Sequence, residues 1–138
     1  MNLCISNNGT TDLSVAAADA RLAFAADELA RYLAIVTGAH FPLGAGAGRA
    51  IRLQISGEPA EQHGWDIRPD GLTLFGHDAL SVLHAVYHFL EKHCGCRWLA
   101  EFEGGEIIPR RETLSVPCEQ RRFRPDFAQR AFTNYPDI

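Results

Sequence analysis

The sequence predicts an α+β domain, a two-layer sandwich in which a mixed β-sheet carries two helices on one face. Three observations lead there. Two segments are amphipathic at the helical period, short alternating or β-branched runs lie before, between and after them, and turn signals separate the two kinds. The order is strands, helix, strands, helix, strands, with no internal repeat and no long low-complexity stretch. At 138 residues one domain is expected, able to bury roughly two thirds of the surface its unfolded chain exposes.

Residues 3–6 and 12–15 read as two short strands around Asn7-Asn8-Gly9, a hairpin signal. Asp19 opens the first helix, whose buried stripe is Leu22, Ala25, Ala26, Leu29, Leu33 and Val36. The alanines on that stripe allow close approach to a sheet, Asp27 and Arg31 stand four apart as an ion pair, and Gly38 ends the helix. Residues 51–56 alternate as a strand does. Residues 65–68 and 72–75 form a hairpin across Pro69-Asp70-Gly71, where proline presets the turn and glycine permits a positive φ.

The second helix is the best-marked element. Val82, Leu83, Val86, Phe89 and Leu90 recur at spacings of three and four on one face, and Ser81, His84, His88, Glu91 and Lys92 share the other. Asp78 can accept from the free amides of the first turn. Gly95 suits the left-handed residue that closes a helix, and Lys92 and His93 complement the dipole there. Residues 97–99 and 113–116 read as further short strands.

Composition excludes several classes. The apolar share of 46% and charged share of 22% are those of an ordinary globular domain. A net charge of −4 argues against nucleic acid as a partner. Six of the thirteen basic residues lie late in the chain: Arg110, Arg111, Arg121, Arg122, Arg124 and Arg130. Four acids dilute them, and Phe123, Pro125 and Phe127 between them suit a linker docking on a neighbouring domain. No apolar run is long enough for a membrane span, and MNLCISNNGT lacks a basic region followed by an apolar one, so a cytoplasmic location is expected.

Each candidate chemistry has a competing reading. His84, His88 and Glu91 share one helix face at spacings that could hold a divalent metal. The metalloprotease motif H-E-x-x-H needs its general base where this chain has Ala85, so a solvated or domain-contact face is expected instead, with no metal or other cofactor. Cys4, Cys94, Cys96 and Cys118 lack the paired spacing of a zinc site and read as reduced, packed thiols. The glycines from Gly44 to Gly48 follow a helix and precede a strand, the reverse of a phosphate cradle. Glu101, Glu103 and Glu106 cluster about Gly104-Gly105, in a loop rather than on the rigid supports that glycosidic cleavage requires. No G-x-S-x-G elbow is present.

Arg97 and Trp98 remain as candidates for a substrate or domain contact. Tryptophan offers a flat face to a sugar ring or an interface, and arginine a planar fork to a carboxylate such as a uronic acid. The competing reading puts Trp98 in the core and pairs Arg97 with an internal acid.

Ala85-Val86-Tyr87-x-Phe89-Leu90-Glu91 followed by Gly95-Cys96-Arg97-Trp98 resembles the small domain that precedes the catalytic barrel in family 67 α-glucuronidases. The second domain of family 20 β-hexosaminidases shows a looser version. Ala26-x-Glu28-Leu29-x-x-Tyr32-Leu33, Gly64-x-x-Ile67 with Gly71-Leu72-x-Leu74, and Ile107-Ile108-Pro109-Arg110 agree in order and distance. The resemblance implies a β-N-acetylhexosaminidase-like domain, a zincin-like fold without its catalytic centre. It further implies that a barrel in the same chain performs the reaction, so that this fragment is no enzyme although its parent is a glycoside hydrolase. Residues 1–118 would then be the accessory domain, and 119–138 a linker and the start of the barrel. A stand-alone carbohydrate-binding or protein-interaction module is the alternative, with a metal hydrolase on His84 and His88 behind it.

Overall fold

The computed structural model describes residues 1–44, 49–60, 62–98 and 105–124. Its centre is a five-stranded sheet in which β2 (Ser14–Ala17), β3 (Ala50–Ile55) and β5 (Gly71–Gly76) run parallel. β4 (His63–Arg68) lies antiparallel beside β5, and β9 (Glu119–Phe123) lies antiparallel beside β4 at the edge. The spatial order is β2-β3-β5-β4-β9. Helices α1 (Ala23–Thr37) and α2 (Ala79–Cys94) pack against each other and on one face of this sheet. The α+β class, the mixed sheet and the single helical layer are therefore as the sequence predicts.

Periodicity explains the helical layer. Leu29, Leu33 and Val36 of α1, with Val82, Val86, Phe89 and Leu90 of α2, have no solvent exposure. They face Ile51, Leu53, Trp65, Ile67, Leu72 and Leu74, the alternate residues of the central strands. Asp19 caps a single 3-10 turn, Ala20–Leu22, that leads into α1, and Asp78 accepts from Ser81 N (2.8 Å) at the start of α2. Gly38 and Gly95 close the helices with φ of 77° and 76°. Arg31 pairs with Glu28 (2.8 Å) rather than with Asp27. Among the described residues no helix is long and apolar enough to cross a membrane.

Three local expectations are corrected. The turn at Asn7-Asn8-Gly9 exists, with Asn7 bridged to Thr10 and positive φ at Asn8 and Gly9, but no hairpin grows from it. β1 (Asn2–Ser6) leaves to pair with β8 (Leu114–Pro117), and β2 joins the central sheet. Leu3, Ile5, Leu13 and Val15 are all fully buried by this divergence, a larger gain than one short ladder offers. The hairpin β4–β5 does form, with Arg68 opposite Gly71. Gly71, however, is not there for a positive φ: a Cβ at this position would lie 2.8 Å from the carbonyl oxygen of Ala50 on β3.

The third correction concerns the division at residue 119. Glu119–Phe123 is a strand of the domain's own sheet, in register with His63–Arg68 from Phe123 opposite His63 to Glu119 opposite Ile67, and not a linker. The expected barrel strand at 127–132 lies outside the described residues. A small sheet of β6 (Arg97–Trp98) and β7 (Glu106–Ile107) completes the fold.

Candidate functional site

β9 lies beside β4 and covers part of α2, and together they gather the densest set of titratable and aromatic side chains in the described residues. His63 and Trp65 come from β4, His88, Lys92 and His93 from α2, and Glu119, Arg121 and Phe123 from β9. Alternation along each strand turns these side chains toward the helices; on α2 the four-residue spacing puts His88 and Lys92 on one side, and His93 meets Trp65 and Glu119 from the adjoining one. His63 Nε2 lies 3.0 Å from His88 Nδ1, so one ring donates and the other accepts. The Phe123 ring stacks on His63 (5.4 Å between centroids, 27°) and tilts against His88 at 4.3 Å and Trp65 at 4.7 Å. Trp65 is fully buried and donates through Nε1 to Glu119 Oε2 (2.8 Å).

Electrostatics follow from this enclosure. Burial, then His88 and His84, pushes His63 down to about 4. Burial, then Lys92, His93 and Arg121, pushes His88 down to about 4 as well. Both rings are neutral at pH 7. His93 is lowered by burial, against the pull of Glu119, whose Oε2 stands 3.4 Å from His93 Nε2. Burial would raise Glu119, but the Trp65 N–H, the cations Lys92 and Arg121, and His93 when protonated outweigh it.

A neutral imidazole can ligate a metal or take a proton, but the described residues contain no group of three His, Cys, Asp or Glu side chains disposed to hold a metal ion. His84, His88 and Glu91 are all half-buried, and the His88 ring packs against Trp65 and Phe123. A ring held at about 4 is also a weak base. Cys94 and Cys96 are buried free thiols. Burial raises both, Cys96 to about 11, which leaves them protonated and unlike zinc thiolates or nucleophiles.

Trp98 is core and only 6% exposed, so the face expected for a sugar or an interface is taken. Its ring meets Tyr32 and Tyr87 edge-on at 5.5 and 5.2 Å, and Nε1 donates to Tyr32 Oη (3.2 Å). Tyr32 in turn donates to the Glu106 carboxylate, which ties β7 to α1. Arg97 projects to solvent from the same strand. Glu101 and Glu103 lie outside the described residues, as does most of the glycine loop. Arg49 at the end of that loop binds Asp12 (2.6 Å) and the carbonyl oxygens of Cys4 and Pro69 (both 3.1 Å). It is a structural clamp.

Phe123, expected to dock on another domain, docks on its own. Arg122 pairs with Glu58 (3.0 Å) and Arg110 with Glu112 (3.5 Å). On the outer side of β4 and β9 a cavity of about 90 Å³ is lined by Trp65, Asp66, Phe75, Gln120, Arg121 and Arg122. That is well short of the roughly 300–1,000 Å³ of ordinary ligand pockets. No local pattern announces the histidine pair, because His63 and His88 lie 25 positions apart; the one signal is a histidine, His88, on the helix face opposite the apolar stripe.

Solved structures with this arrangement identify the fold. The chain is similar to the GH20 β-N-acetylhexosaminidase of Streptomyces coelicolor A3(2), with a TM-score of 0.54 and 21% identity over 83% of this chain and 23% of that one. It is similar to the GH20 exo-β-N-acetylglucosaminidase of Vibrio harveyi, with a TM-score of 0.57 and 10% identity over 86% of this chain and 16% of that one. The β-hexosaminidase of Streptomyces plicatus gives 0.54 and 24%, over 67% and 18%. The fold is that of a GH20-like domain. It spans about a fifth of the length of these hexosaminidases, and at these identities the likeness shows shared architecture alone. No protein-family model and no curated protein matches the chain. The GH20-like domain places its histidine and aromatic cluster beneath the edge strand β9.

Proposed function

We propose that this GH20-like domain is a noncatalytic part of a glycoside hydrolase, similar to the accessory domain of family 67 α-glucuronidases, and that it packs against and orients a catalytic barrel of the same chain. The observation that carries the reading is the coverage: the likeness takes in 83–86% of this chain and only 16–23% of two of the hexosaminidases. The state of the carboxylates agrees with it. Glu119 is held by Trp65, Glu106 by Tyr32, Asp12 by Arg49 and Glu58 by Arg122, so these acids serve the fold instead of flanking an open cleft. A zincin-like ancestry without the metal centre suits a helix that has Ala85 where the general base would stand.

Arg97, exposed beside the buried Trp98, is the side chain we assign to the barrel contact, or to a sugar carboxylate at its margin. The test is hydrolysis by the purified chain of 4-nitrophenyl N-acetyl-β-glucosaminide and 4-nitrophenyl α-glucuronide. Rates equal to buffer are expected. Turnover that follows the protein through successive columns would overturn the reading.

A further inference from the structure

β9 combines the features of the least secure strand in the sheet. It is an edge strand with β4 as its neighbour, and its side chains are exposed or half-buried throughout. The apolar group it contributes is Phe123, and that ring rests on the two imidazoles that contact each other. We propose that β9 is an acid-released latch: protonation of the His63–His88 pair frees Glu119–Phe123 from β4 while the remainder of the sheet stays folded.

The geometry makes the pair intolerant of charge. A contact of 3.0 Å between ring nitrogens requires a lone pair on one of them, and two imidazolium rings would offer only N–H groups to each other. His63 Nδ1 is buried with no hydrogen-bond partner, so a proton placed there has no acceptor. The charged and titratable groups facing the pair are mostly cations or bases that become cations on protonation. α2 supplies His84, Lys92 and His93, and β9 supplies Arg121. The acid in the cluster is Glu119, which already accepts from Trp65 and stands nearest His93. A proton on His93 is therefore compensated, and the uncompensated charge falls on His63 and His88.

Release would let both rings reach water and take up protons near their ordinary value of 6.5, whereas the covered rings wait until about 4. Each ring then favours the open state by up to roughly tenfold per pH unit across that interval. What opposes it is the ladder with β4, the Trp65–Glu119 hydrogen bond and the ring contacts of Phe123. The strand has a neighbour on one side alone, as is usual for segments that open before the whole domain does.

Amide hydrogen exchange followed by NMR on the whole chain from pH 7.5 to 4.5, corrected for intrinsic rates, tests the latch. Protection of residues 120–123 is expected to fall more than tenfold relative to β3 and β5, in step with the His63 and His88 ring shifts. His63→Phe and His88→Leu, made singly, are expected to weaken that loss. Protection retained in β9 at pH 4.5, loss shared equally with β3 and β5, or single variants that behave as the parent would each overturn the proposal. Should neither variant fold, the parent decides alone, since rings that titrate beneath a protected β9 would refute it.

Discussion

Trp98 and Arg97 are neighbours with opposite fates, because a two-residue strand turns successive side chains to opposite sides. Which of the two goes inward is settled by Tyr32, 66 positions away, whose hydroxyl receives the indole N–H. No local pattern contains that information. Trp98→Ala should cost about 3–5 kcal/mol in urea unfolding through the cavity it leaves. Arg97→Ala should stay within about 0.5 kcal/mol, and a larger loss there would show an internal ion pair. The histidines add a pH dependence with a definite sign. Both folded values, about 4, lie below the unfolded 6.5, so the stability they contribute is complete above pH 6.5 and is lost as pH falls toward 4. Since both rings keep some contact with water, we expect about 1–2 kcal/mol from each, well below the full shift. Urea midpoints at pH 7 and pH 4.5 measure it, and stability that rises on acidification would contradict the burial argument.

Among elements, legibility followed the strength of the local pattern. Both helices were readable from spacing, capping aspartates and closing glycines, since all of these act within a few residues. Asp78→Ala should accordingly destabilise by about 1 kcal/mol, seen as a lowered thermal midpoint. β1 and β2 were readable as strands but not in their pairing, because a turn signal says where the chain reverses and not which ladder buries more. β9 was missed altogether. Glu119-Gln120-Arg121-Arg122-Phe123 has no apolar alternation, and its place is set by groups on β4 and α2 that receive its side chains. Gly64 completes that arrangement: a Cβ there would sit 2.3 Å from the carbonyl oxygen of Arg121 and 2.7 Å from the Phe75 ring. Gly64→Ala should therefore force β9 away from β4, raising exchange in residues 120–123 while α1 and α2 keep their helical circular dichroism. Unchanged exchange would mean that the sheet edge can flex to accept the methyl group.

The whole molecule is one core closed by segments from both ends of the described chain. A division after Cys118 looked natural in sequence, yet removing residues 119–138 would strip Trp65, His63 and His88 of their cover. We expect such a truncation to lower the thermal midpoint by several degrees and to self-associate, by calorimetry and sedimentation; a truncated chain as stable and monodisperse as the full one would restore the linker reading. The candidate site was legible only as separate residues, since its chemistry depends on what the fold brings beside each one. The pairing of β1 with β8 carries a different consequence. Leu3 and Ile5 meet Leu114 and Val116 in the core, and Ser6 Oγ donates to Glu112 O across 106 positions. During synthesis β1 must wait for β8, more than a hundred residues later, with Leu3 and Ile5 uncovered until then. This part of the nascent chain thus stays open to aggregation and to chaperone capture until Leu114–Pro117 emerges, and the closing of this long loop is the step that ends that exposure.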